Sequence, residues 1–123
     1  RNVALAGSDP DIVLISSFDG GTTWTPPIRV NDDPLNNGKD QYYPWLTVDQ
    51  SNGRVSLVWY DSRDVSNNQA EVFMGQSTDG GATFENFKVS SQPHTPSPIP
   101  GLASGYAGDY IGVAALNDVA YPF

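Results

Sequence analysis

One eight-residue motif occurs twice in this chain. Ser17-Phe18-Asp19-Gly20-Gly21-Thr22-Thr23-Trp24 returns 60 residues later as Ser77-Thr78-Asp79-Gly80-Gly81-Ala82-Thr83-Phe84, with Ser, Asp, both glycines, Thr and the closing aromatic retained. A recurrent turn of this length implies recurrent structural units, because each repeat is one supersecondary element that buries its apolar face against a neighbour. The paired glycines admit the positive φ of a tight hairpin turn. The Asp carboxylate can accept hydrogen bonds from the turn's own amides, and the Ser and Thr hydroxyls can tie the flanking strands. Trp24 and Phe84 then cover the turn. The motif residues Ser17, Asp19, Gly20, Gly21, Thr23 and Trp24, and their counterparts Ser77, Asp79, Gly80, Gly81, Thr83 and Phe84, read as a staple that holds a fold, not as a centre of chemistry.

Around the motif the apolar residues follow a period of two, with no stretch at helical spacing. Strands are expected over Asp11–Phe18, Pro27–Asn31, Pro44–Asp49, Arg54–Tyr60, Ala70–Ser77, Asn86–Ser90, Ile111–Leu116 and Val119–Phe123. Alternation is clearest in Val55, Leu57 and Trp59 against Arg54, Ser56 and Val58, as for a strand with one face more deeply buried. Ser51-Asn52-Gly53 supplies a hairpin turn. A weaker repeat aligns Gln41–Val48 with Asp109–Leu116 at an offset of 68. The eight extra residues fall in the proline-rich stretch Gln92–Pro100. If the Asp-Gly-Gly turn joins the third and fourth strands of each unit, the chain holds two strands, then four, then two. Four strands in a repeat of about 40–60 residues is the mark of a β-propeller blade. The expected architecture is all-β, with a half-blade (strands three and four) in residues 1–31, a full blade in 41–90 and a half-blade (strands one and two) in 109–123.

Composition narrows the function. Six basic residues face 14 acidic ones, a net charge of −8, so the phosphate-neutralising surface of a nucleic-acid binder is missing. Anionic membranes are disfavoured on the same ground, and no apolar run approaches bilayer length. Twelve of the acids are Asp, which suits turns and loop oxygens. With no cysteine there is no thiolate metal site or disulfide framework, and no phosphate loop suggests a nucleotide enzyme.

The repeated turn resembles the Asp-box, or bacterial neuraminidase repeat, of sialidases and related propellers. The likeness extends through Tyr43-Pro44-Trp45-Leu46-Thr47-Val48, through Gly53 to Arg63 with Trp59-Tyr60-Asp61-Ser62-Arg63, and to Gly108-Asp109-Tyr110-Ile111-Gly112. It implies a six-bladed propeller directed at glycans and an extracellular, cell-surface or periplasmic setting. It also implies, for an active sialidase, a cluster of three arginines on the substrate carboxylate, a tyrosine nucleophile activated by glutamate, and an acid/base aspartate. The chain departs from that pattern. Sialidases carry Arg before Ile-Pro at the start of an inner strand, whereas this sequence has Tyr42-Tyr43-Pro44, and the parallel site reads Tyr110-Ile111-Gly112. The box itself also decorates non-enzymatic propellers, so a structural or protein-binding module is the alternative reading.

Strand parity divides the connections between two faces. The boxes and the short turns at Asn52-Gly53 and Asn117-Asp118 share one. The longer, more polar connections Asp32–Gln41, Asp61–Gln69 and Ser91–Asp109 share the other, where function is expected. Candidates there are Tyr42, Tyr43, Asp61, Arg63, Asp64, Asp109 and Tyr110, with Arg63 the one arginine suitably placed. Asp61 with Arg63 could equally be a local ion pair. Two oxygen-rich clusters, one of Asp32, Asp33, Asn36, Asn37 and Asp40 and the other of Asp61, Asp64, Asn67 and Asn68, offer hard ligands that calcium would accept, although the same residue types also form ordinary turns. No other cofactor is called for. The lone His94, among prolines, reads as a loop residue.

The chain opens on Arg1 and stops at Phe123 within an apolar run, as a processed product or a part of a longer chain would. Half-blades leave strand edges that require cover. Either further blades of a longer chain supply it, or one copy's last two strands complete the blade begun by the next, three copies closing a six-bladed ring.

Overall fold

The computed structural model describes residues 9–66 and 68–123, so residues 1–8 of the first expected half-blade, and Asn67, lie outside the described residues. The protein is all-β. Its strands are β1 (Val13–Leu14), β2 (Ile28–Arg29), β3 (Gln41–Val48), β4 (Val55–Asp61), β5 (Glu71–Ser77), β6 (Glu85–Lys88), β7 (Val113–Leu116) and β8 (Val119–Pro122). They form three antiparallel sheets, β1-β2, β3-β4-β5-β6 and β7-β8. No helix is present among the described residues, and hence none long and apolar enough to cross a membrane.

The middle sheet presents an apolar layer on each face because its central strands are apolar at successive positions. On one face Val55, Leu57, Trp59 and Phe73 meet Ile12 and Val30 of the first sheet's segment, with Leu14 and Phe84 alongside. On the other, Val58 and Met74 meet Ile111 and Val113, with Tyr60, Val72 and Ala120 alongside. The sheets are thus layered face to face in chain order. Gly75 makes the first contact close, since a Cβ there would lie 3.2 Å from both the Trp59 ring and Val30 Cγ1. Trp59 is fully buried.

Three sequence expectations are corrected by this geometry. β3 begins at Gln41, before Pro44, because the β3–β4 register slips between Tyr42 and Trp45 and Tyr43 adopts φ 53°. A bulge of this kind tolerates a residue with no N–H to donate. The second correction concerns the weaker repeat. Leu46 pairs with Leu57 and so faces the first sheet, whereas Trp45 pairs with Val58 and faces the third. Val113 points back at the middle sheet, as Leu46 points back at the first, so the equivalence is Leu46 with Val113, one residue short of the offset of 68. In a strand such a slip exchanges the two faces. β1 is also shorter than expected: past Leu14 the chain is tied to the returning segment by Thr25 N–H to the Ser16 carbonyl and Ser16 N–H to Thr25 Oγ1, just before the consecutive prolines Pro26 and Pro27.

Short turns are linked across sheets. Asp49 Oδ1 accepts Ser51 N–H and hydroxyl, and its Oδ2 accepts Asp118 N–H at 2.8 Å. Asn52 donates to Asp118 at 2.6 Å, and Arg54 pairs with the same carboxylate. The bond from the Ser51 hydroxyl, opposed by desolvation and joined by the Ser51 and Asp118 amides, holds the Asp49 carboxyl below its ordinary pKa.

Candidate functional site

Both Asp-Gly-Gly turns close on the same hydrogen bonds. In each, the Ser hydroxyl donates to Asp Oδ1 (2.8 Å from Ser17, 2.7 Å from Ser77) and accepts the amide of the second glycine (2.7 Å at Gly21, 2.8 Å at Gly81). The Thr amide reaches Oδ1 and the Thr hydroxyl reaches Oδ2, the latter at 2.6 Å from both Thr23 and Thr83. Both carboxylate oxygens are therefore occupied. Led by the Thr23 hydroxyl, these donors lower Asp19 to a pKa of about 2, and Asp79, led by Thr83 and then Ser77, is lowered further. The Asp is thereby engaged as an acceptor within its own turn.

The long connections converge at the opposite ends of the strands. Asp40 and Ser62 bind each other through two amides and the Ser62 hydroxyl, and His94 bridges to Ala70. Between them opens a groove of about 490 Å3 lined by Lys39, Asp40, Tyr42, Ser62, Gln69 and Pro96 among others. Tyr42 stands in an aromatic group with Tyr43 (centroids 5.3 Å) and Tyr60 (5.6 Å), and Tyr60 packs on His94 at 4.9 Å. Burial, then neighbouring Tyr60, Tyr43 and Asp40, pushes the Tyr42 hydroxyl above its ordinary pKa, so it stays a neutral phenol.

Arg63 lies beneath this face and is fully engaged. Its Nε and Nη2 contact Asp61 Oδ2 at 2.9 and 2.8 Å, its Nη1 pairs with Asp32, and its guanidinium stacks over Phe73 at 4.3 Å. Burial acts against the charged form, but the bonds to Asp61 and Asp32 and the charges of Asp61 and Asp33 outweigh it and raise its pKa. Asp61 is itself buried, accepting Trp59 Nε1–H at 2.7 Å and the Arg63 amide. The structure thus joins Asp61 and Arg63 as an ion pair.

Beside that pair lies a polar network not foreseen from sequence. Arg29 pairs with Asp11 (2.6 Å) and Asp33 (3.0 Å), Asn31 donates to Asp11, Asp33 and Gln41, and Gln41 reaches Asp33 and Asp61. Asp11, Asn31, Asp33, Gln41 and Asp61 are all buried. Each belongs to a strand end or its flank, and residues in such positions read from sequence as turn formers. Only their meeting between two sheets reveals the role. Such a cluster is costly to break, since losing one partner strands a buried charge.

For the calcium candidates, Asp33 Oδ1 accepts Arg29 and Asn31, its Oδ2 accepts Asn37 and Gln41, and Asp32 pairs with Arg63. Asp40 borders the groove. Among the described residues no three His, Asp or Glu side chains gather as metal ligands. A cation on Asp33 would have to displace nitrogen donors already in place. Asp109 accepts the Tyr106 hydroxyl, and that bond, with some desolvation, raises the Tyr106 pKa. Tyr110 packs against Trp45. Asp64 is exposed in the connection after β4. Of the two glutamates, Glu71 pairs with Lys88 while its buried Oε2 has no partner, and Glu85 opens β6.

Taken together, the described residues define an all-β protein of layered antiparallel sheets whose polar groove sits among its longest connections. No protein-family model matches the chain, and no curated protein matches it significantly.

Proposed function

We propose that the chain is a segment of a sialidase-like Asp-box β-propeller whose long-connection face binds glycan without hydrolysing it. The propeller reading is supported by antiparallel sheets of two, four and two strands layered in chain order, and by two turns that share their Ser-Asp-Thr hydrogen bonds, each joining antiparallel neighbours. The open edges of β1 and β8 then belong to blades completed by other strands, either of a longer chain or of further copies. An extracellular, cell-surface or periplasmic setting goes with the same reading.

One observation carries the functional half: the groove beside Tyr42 offers hydroxyls and amides from Tyr42, Ser62, Ser66, Asn68 and Gln69 together with the Asp40 carboxylate and Lys39, while the guanidiniums of the described residues are already occupied. Among the described residues, Arg29, Arg54, Arg63 and Lys88 all pair with carboxylates of this chain, and Lys39 donates to the Val65 carbonyl. A sialidase needs free guanidiniums to grip the substrate carboxylate and an ionisable tyrosine beside a glutamate. Here Tyr42 is held neutral, and Glu71 is paired with Lys88. Binding fits; turnover by this chain alone does not.

The test sets a fluorogenic sialoside beside a glycan-binding screen. Retention of glycans with no release of fluorophore is the expected outcome. Turnover that vanishes in Arg63→Ala would establish the hydrolase instead, and neither binding nor turnover would leave the alternative, a propeller that serves structure or protein contact.

A further inference from the structure

We propose, resting on the glycan reading above, that Tyr43, Trp45 and Tyr110 form a shelf on which the apolar face of a neutral pyranose stacks. The three side chains are 45%, 47% and 73% exposed, although aromatic residues of this size ordinarily gain by burial. They come from two separate elements, β3 and the connection before β7. Trp45 and Tyr110 lie with centroids 6.1 Å apart and planes inclined by 39°, in contact with each other yet both still largely exposed.

Backbone strain fixes one end of the shelf. Tyr43 holds φ 53°, a conformation that a bulky residue adopts only at a cost in strain and that collects at ligand sites. That twist, together with the register slip, places consecutive Tyr42 and Tyr43 side chains against the same Tyr60 ring, at 5.6 and 6.3 Å, instead of sending them to opposite faces. Tyr42, which lines the polar groove, thereby stands edge-on to the exposed Tyr43 ring at 5.3 Å.

The chemistry selects a neutral sugar. A pyranose has one face of C–H bonds, weakly positive, that suits the negative face of an aromatic ring, and a rim of hydroxyls that seek polar partners. Asp109, anchored by the Tyr106 hydroxyl and adjacent to Tyr110, offers a carboxylate acceptor to that rim. An anionic sugar meets no free guanidinium among the described residues and a chain of net charge −8.

Saturation-transfer NMR on the full chain, with lactose, maltose and diacetylchitobiose as neutral probes and sialyllactose as the anionic one, tests the proposal. Ring protons of at least one neutral disaccharide should receive transfer, reduced at least about fivefold in Trp45→Ala and in Tyr110→Ala and unchanged in Trp24→Ala, whose ring lies on the other face. Tyr110→Ala keeps the test valid if Trp45→Ala fails to fold, since Tyr110 is the more exposed. Neutral binding untouched by both shelf variants but abolished by Gln69→Ala would overturn the shelf and leave the glycan reading standing. Preference for sialyllactose would overturn the neutral class. Transfer to none of the four sugars, with the shelf then serving as cover for a neighbouring sheet, would overturn this proposal and count against the broader reading as well.

Discussion

In the first Asp-Gly-Gly turn Phe18 is 89% and Trp24 58% exposed, whereas in the second Gly81 is buried and Phe84 packs on the core that joins the first two sheets. The hydrogen bonds nevertheless agree to within about 0.1 Å, from the Ser hydroxyl to the Thr hydroxyl. The geometry of the turn is therefore set locally by eight residues, and burial has little part in it. What differs is the use made of the turn. At Gly81 a Cβ would fall 2.8 Å from Leu14 Cδ2, so a side chain of the preceding sheet rests directly on the second glycine. At Gly21 the nearest atom is the turn's own Trp24, at 3.8 Å. The same motif serves as a closed hairpin in one place and as a seat for a neighbouring sheet in the other.

The widest separation between the two turns is expected at their aromatics. Phe84→Ala should lower stability by about 2–3 kcal/mol in urea unfolding, because it opens a gap beside the first core cluster, while Trp24→Ala should cost less than about 1 kcal/mol. Equal losses would mean that the first turn is as well packed in solution as the second. The glycines sharpen the contrast. Gly21→Ala should cost about 1–2 kcal/mol for its positive φ alone, and Gly81→Ala about 1 kcal/mol more for the contact with Leu14. Leu14→Ala should erase that extra cost in a double-mutant cycle, and an additive cycle would place the strain elsewhere.

The smallest effect is expected from acid, where the two turns should act alike. A carboxyl whose folded pKa lies below its unfolded value stabilises at neutral pH, and that contribution disappears as pH falls through the folded pKa. For Asp19 the window runs from 3.8 down to about 2, and for Asp79 it extends lower. The urea midpoint should therefore fall between about pH 4 and pH 2, with a shallower fall in Thr23→Val and Thr83→Val, which remove the hydroxyl that contributes most. A midpoint that is flat over this range in the parent chain would show that these bonds do not persist in solution.

Much of the layering was legible from residues 17–24 and 77–84, because a turn's chemistry is local and its recurrence marks like hairpins. The alternation in β4 likewise read directly, since Val55, Leu57 and Trp59 face one layer while Val58 faces the other. Tyr43 was not legible. A Tyr-Pro pair ordinarily signals extended backbone before the proline, and nothing in the residue types announces a positive φ there. The third sheet was placed one residue out because its two-residue turn, Asn117-Asp118, is shorter than the one after Asp49, and a weak repeat aligned across turns of unequal length has no fixed register. Arg63 was recognised as the suitably placed arginine, yet its engagement depends on Asp32 and Phe73, 31 and 10 positions away, and only the fold brings them together. The same holds for Arg29, whose partners Asp11 and Asp33 lie to either side of it in sequence.

The three tryptophans are distributed one to each kind of environment: Trp24 at the first turn, Trp45 on the shelf, and Trp59 sealed between two sheets with its indole N–H on Asp61. Their emission should accordingly divide into a quenchable red component and a protected blue one. Acrylamide would then report ligand at the surface and loosening of the interior as separate signals from one unlabelled sample.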